Sequence, residues 1–166
     1  IANQLALAGF NIIVNGSRNQ DAAEAVAAEV RAYGVEALVA MGNVGVKAEA
    51  EAIAKAGLDH FGQIDVLVNN AGMHSRGDLE TVDPADVGAM VDINIRAPLV
   101  LSCAAIPYLR RTGGGGIVMV GSLAGMAPLQ GAATYSGTKA GLRAFAYALA
   151  DEMRGTRIHV GVVSPG

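Results

Sequence analysis

Ser122-Leu-Ala-Gly-Met-Ala-Pro-Leu-Gln-Gly-Ala-Ala-Thr-Tyr135-Ser-Gly-Thr-Lys139 leads from an apolar run, Gly116-Ile-Val-Met-Val120, into a stretch of helical periodicity. The run reads as a strand, and Leu142, Phe145, Leu149 and Met153 recur at the spacing of a helix with one inward face. Tyr135 and Lys139 stand four residues apart, so a helix sets them on one side, one turn apart. An ammonium beside a phenol favours the phenolate, which suits the pair to exchanging a proton with a substrate oxygen. Ser122, just past the strand, carries a hydroxyl able to donate to or accept from that same oxygen. Taken alone, Tyr135 also reads as a helix-start tyrosine with a buried ring and a wetted hydroxyl.

Outward from this stretch, short apolar runs alternate with helical stripes. Asn11–Val14, Val35–Met41, Ile64–Val68, Gly116–Val120 and Ile158–Val163 read as strands. Between them, Ala23, Val26, Ala27 and Val30 mark one helix, and Ala50, Ile53, Gly57 and Phe61 mark another that is closed by Gly62. Asp83-Pro84 supplies an N-cap followed by a proline at the first helical position, opening a long helix that runs past Arg110. The alternation predicts an α/β fold with a parallel sheet and right-handed crossovers. Ser17-Arg18, Asn43, Asn69-Asn70-Ala71-Gly72, Ser122 and Ser164-Pro165-Gly166 each follow a strand, and open α/β sheets bind ligands outside the carboxyl ends of their strands.

The totals narrow the function. The 166 residues are 52% apolar and 16% charged with a formal net charge of −3, which suggests neither disorder nor affinity for nucleic-acid phosphates. Aromatic residues make up 4%, with no Trp, leaving little for base stacking. Pro98 and Pro107 interrupt the most apolar run, so no membrane span is expected. The lone Cys103 fits a reducing, cytoplasmic setting and reads as a buried structural thiol. His60, His74 and His159 lack metal-ligand spacing, so no metal is expected, although His74 falls near the rim where a substrate would lie.

Asn69-Asn70-Ala71-Gly72, Asn94, Ser122, Tyr135-x-x-x-Lys139 and Pro165-Gly166, in this order and spacing, resemble the short-chain dehydrogenase/reductase family. The resemblance implies a Rossmann-like, doubly wound, three-layer α/β/α sheet and hydride transfer between a nicotinamide cofactor and a ketone or secondary alcohol. It implies Tyr135 as acid or base, Lys139 as its electrostatic partner and ribose ligand, and Ser122 as the group steadying the reacting oxygen. Asn94 would hold a water through its backbone carbonyl. The sequence adds a reason: the regular helical donor to that carbonyl would be residue 98, a proline without an N–H.

On the cofactor side, the resemblance implies contacts from Asn70, Ala71, Gly72, Pro165 and Gly166, and from Asn43 and Val44 beside the adenine. Asn43 stands where the family usually has an aspartate. Ser17 and Arg18 replace the acidic residue that would read a free ribose 2′-hydroxyl, which favours NADP, with NAD the alternative. A broad carbonyl reductase of the 3-oxoacyl-thioester type, assembled as a homo-oligomer (dimer or tetramer), follows from family frequency. A non-catalytic family member that binds or regulates is the rival reading. The family's glycine-rich loop and first strand would precede Ile1, and its substrate region and last strand would follow Gly166. The chain therefore reads as one incomplete dinucleotide-binding domain over 1–166, an interior fragment expected by itself neither to bind cofactor well nor to unfold cooperatively, with an inactive fragment as a further alternative.

Overall fold

The computed structural model describes all residues 1–166 and divides into two compact units, Ile1–Gln63 and Ile64–Gly166. The first unit begins with α1 (Ala2–Leu7), then β1 (Ile12–Gly16), α2 (Gln20–Arg31), β2 (Ala37–Met41) and α3 (Lys47–Phe61). β1 and β2 pair in parallel from Ile12 opposite Ala37 to Gly16 opposite Met41. Asn19 caps α2 by accepting from the Ala22 N–H at 2.9 Å, and α2 buries Ala23, Ala27 and Val30. Gly62 ends α3 in the left-handed conformation, φ 76°, as its place after Phe61 predicts. A Cβ on Gly57 would fall 2.1 Å from Ile13 Cδ1, so the missing side chain lets α3 lie directly on β1.

The second unit holds β3 (Val66–Asn69), α4 (Pro84–Val91), a π turn (Asp92–Arg96), α5 (Ala97–Arg111), β4 (Gly115–Val120), a 3-10 turn (Leu123–Gly125), α6 (Ala133–Glu152) and β5 (Ile158–Val163). Its sheet runs β3-β4-β5, all parallel. Asp83 caps α4 through the Ala85 N–H at 2.8 Å, with Pro84 at the first position. The core joins Leu109, Ile117, Met119, Leu142, Ala146, Leu149, Met153 and Ile158. The inward face assigned to α6 is thus the one it buries.

Two expectations are corrected here. The expectation of a sheet without its first and last strands is corrected by five strands that pair in parallel within each unit, β1 with β2 in the first and β3-β4-β5 in the second, β5 meeting β4 from Ile158 to Val163. The Ile1 carbonyl opens α1 by accepting from the Gln4 and Leu5 N–H groups at 3.0 and 3.1 Å. Cys103, expected to be buried, lies on the exposed face of α5, because Ser102 and Leu109 take the inward positions of that helix. The 28-residue stretch Pro84–Arg111 is long and apolar enough to cross a bilayer by length and composition alone. Along it Met90, Ala97, Pro98, Ser102 and Leu109 are buried.

Candidate active site

The carboxyl ends of β3 and β4, the π turn and the start of α6 bring polar groups together in the second unit. Asn94 is fully buried in the π turn. Its Oδ1 accepts from the Met73 N–H at 2.8 Å, and its Nδ2 donates to the Met73 carbonyl at 2.8 Å and to Thr138 Oγ1 at 3.2 Å. Thr138 Oγ1 in turn donates to the Tyr135 carbonyl at 2.8 Å. One asparagine therefore ties the loop after β3 to α6. The turn widens here, with the Ala97 N–H reaching back to the Asp92 carbonyl, and Pro98 has no N–H to offer the Asn94 carbonyl.

Lys139 is 5% exposed, and its Nζ donates to the Val120 carbonyl at 2.8 Å. Burial pushes its ammonium below the ordinary lysine value of 10.5. That Nζ lies 5.8 Å from the centre of the half-buried Tyr135 ring. Ser122 caps the 3-10 turn, its Oγ accepting from the Ala124 N–H at 3.2 Å, which leaves its own proton to give. Pro165 joins this group, since its carbonyl accepts from the Leu123 N–H at 2.9 Å. Gly166 packs beside Leu123, where an added Cβ would fall 3.2 Å from Leu123 Cδ1. Asn70, Ala71 and Gly72 follow β3 and are exposed, and a Cβ on Gly72 would lie 3.5 Å from Asn94 Oδ1 and 3.6 Å from Lys139 Nζ. Asn69 is structural, its amide reaching Ser102 Oγ and Met119 Sδ.

The remaining residues singled out in the sequence belong to the first unit. Ser17 and Arg18 are exposed after β1. Asn43 follows β2 and spends one oxygen lone pair on the Gly45 N–H at 2.9 Å, while its own N–H donates to Glu49 at 2.7 Å. Val44 is half-buried beside it.

Three contributors escaped the sequence reading. Gly125 lets the 3-10 turn touch α6, because a Cβ there would sit 2.7 Å from the Lys139 carbonyl carbon. Thr138 links Asn94 to the Tyr135 backbone, and nothing in its local sequence marks that role. The π turn is new as well, and its only local signal is Pro98.

The family model for the short chain dehydrogenases matches residues 1–166, and the chain belongs to this family. It is 35% identical to a 3-oxoacyl-(acyl-carrier-protein) reductase of Synechocystis sp. over 162 residues, covering 98% of this chain and 66% of that protein. Among solved structures, a protein from Sinorhizobium meliloti, provisionally described as a short-chain alcohol dehydrogenase, superposes with TM-score 0.94 at 28% identity. That match covers 100% of this chain and 66% of the other. An acetoin dehydrogenase from Enterobacter cloacae gives 0.92 at 29%, covering 99% and 66%. The matches run along the whole chain, which corrects the expectation of a fold without its first and last strands. The chain spans 66% of the length of these relatives.

Family membership implies a nicotinamide dinucleotide, and the residues present fit one. Lys139 gives only one of its three N–H bonds to the protein, and the space at Gly72 beside it would accept an added carbon at ordinary contact distance. A ribose diol offers the oxygens that the other two N–H bonds require.

Proposed function

We propose that the protein transfers a hydride between NAD(P)(H) and the carbon of a ketone or secondary alcohol, with Tyr135 as the acid in reduction and the base in oxidation. When bound, the dinucleotide supplies or takes up the hydride. In reduction, the Ser122 hydroxyl donates to the substrate oxygen and orients it. Tyr135 gives its proton to that oxygen as charge builds there. The Lys139 ammonium stabilises the phenolate left behind, and its two spare N–H bonds hold the ribose. Water on the Asn94 carbonyl returns a proton by way of Lys139. The observation that carries this reading is the buried Lys139, one helical turn from Tyr135 and saturated by the protein at only one of its protons.

Asn70, Ala71, Gly72, Pro165 and Gly166 would line the dinucleotide, with Asn43 and Val44 toward the adenine. The exposed Arg18 with Ser17 favours the 2′-phosphate of NADP. The Synechocystis relative's name points to 3-oxoacyl thioesters as the substrate class. The apolar outer face of α5, with Val100, Cys103, Ala104 and Pro107 exposed, and that of α6, with Ala140, Ala144 and Ala148, suit a homo-oligomer. The test is NADPH oxidation with a panel of ketones that includes a 3-oxoacyl thioester, comparing wild type with Tyr135→Phe. A loss of about 100-fold or more in kcat is expected. A fully active Phe variant removes the tyrosine from the chemistry.

A further inference from the structure

The geometry points to His74 as a positioning residue for Tyr135, an inference that rests on the acid/base role proposed above. The His74 and Tyr135 rings meet edge to face, with centroids 4.4 Å apart and planes at 89°. No protein group hydrogen-bonds the phenol oxygen, so the direction in which it points is set by what packs on the ring. Two neighbours are on hand: Lys139, with Nζ 5.8 Å from the ring centre, and the His74 imidazole.

The segment that carries the imidazole is held at both ends. Met73, the preceding residue, has its N–H and carbonyl both bonded to the Asn94 side chain at 2.8 Å. Three residues further on, the Gly77 N–H donates to the Gly131 carbonyl at 2.9 Å, in the turn that leads into α6. The loop 73–77, on which His74 is exposed, is thus fastened to the π turn at one end and to the approach to Tyr135 at the other. His74 stands between the two fastenings and walls one side of the phenol. Edge-to-face packing of this kind favours a single ring orientation and needs an aromatic ring, not an imidazole as such. The residue therefore acts through Tyr135, narrowing the ring to the orientation that meets the substrate oxygen.

The experiment compares His74→Ala and His74→Phe by steady-state kinetics and by NMR of protein carrying 13C-labelled tyrosine rings, with Tyr135 assigned from Tyr135→Phe. We expect His74→Ala to lower kcat about 3- to 10-fold with KM little changed, the worth of one aromatic pair. His74→Phe should restore kcat. The Tyr135 ring signals should lose their ring-current shift in the alanine variant and keep it in the phenylalanine variant. Wild-type kcat in His74→Ala overturns the inference. So does a phenylalanine variant as impaired as the alanine one with raised KM, since the imidazole would then be binding substrate. The NMR comparison does not depend on turnover. Protein inactive on every ketone would sink the proposed function, while unshifted Tyr135 signals in His74→Ala would separately sink the positioning role.

Discussion

Gly125→Ala tests whether close contact between the 3-10 turn and α6 sets the site's geometry. A Cβ at this position would lie 2.7 Å from the Lys139 carbonyl carbon, 2.8 Å from its oxygen and 2.9 Å from the Ala140 nitrogen. All three are backbone atoms in the hydrogen-bonded body of a helix, so the turn has to move and α6 does not. Ordinary contact begins near 3.4 Å, which requires the turn to recede by about 0.7 Å. Ser122 moves with it, because its carbonyl accepts from the Gly125 N–H at 3.0 Å and its Oγ caps the turn. A displacement approaching 1 Å at a reacting group lowers rates by up to about 100-fold, so kcat should fall roughly 10- to 100-fold.

Overpacking of this kind also lowers stability by about 1–3 kcal/mol. The assay pairs kcat on a reducible ketone with the urea midpoint of the same preparation. Gly88→Ala in α4, where an added Cβ meets nothing within 4 Å, is the matched control. It should leave kcat unchanged and stabilise the protein by about 0.5–1 kcal/mol. Wild-type kcat and midpoint in Gly125→Ala would refute the reasoning.

Lys139→Met should abolish turnover yet raise stability at neutral pH. Burial lowers the ammonium's pKa in the folded chain, so the unfolded chain binds the proton more tightly and wild-type stability climbs with pH from the lowered folded value to 10.5. The gap between variant and wild type should narrow across that window in thermal melts at stepped pH, and a variant that is less stable throughout contradicts it. Asn94→Ala strips both backbone partners from Met73 and should destabilise by about 2 kcal/mol or more in urea titration. A change under about 0.5 kcal/mol would show that the clamp is idle. Arg18→Glu should weaken NADPH relative to NADH by about 10-fold or more in calorimetric titration, and an unchanged ratio would take the arginine out of cofactor choice.

The sequence alone determined what depends on near neighbours. Asp83-Pro84 dictates the start of α4 because cap and fixed φ act within one turn. Gly62 ends α3, and the spacing of Leu142, Leu149 and Met153 sets the buried face of α6. The pairing of Tyr135 with Lys139 was legible for the same reason, since a helix turns a four-residue spacing into proximity. Pro98 announced that the Asn94 carbonyl would lack its helical donor, though not that the backbone would widen into a π turn around it.

Only the tertiary structure decided the rest, because it depends on contacts between segments far apart in the chain. The grip of Asn94 on Met73 and Thr138 spans 21 and 44 residues, and no periodicity encodes it. Gly125 matters through the α6 backbone that it touches, not through its own conformation. Cys103 sits in an apolar neighbourhood of sequence yet faces outward, because the face that a helix buries is chosen by the sheet beneath it. His74 carries no motif at all, and its place against Tyr135 comes from a loop fastened at both ends by partners the local sequence does not name.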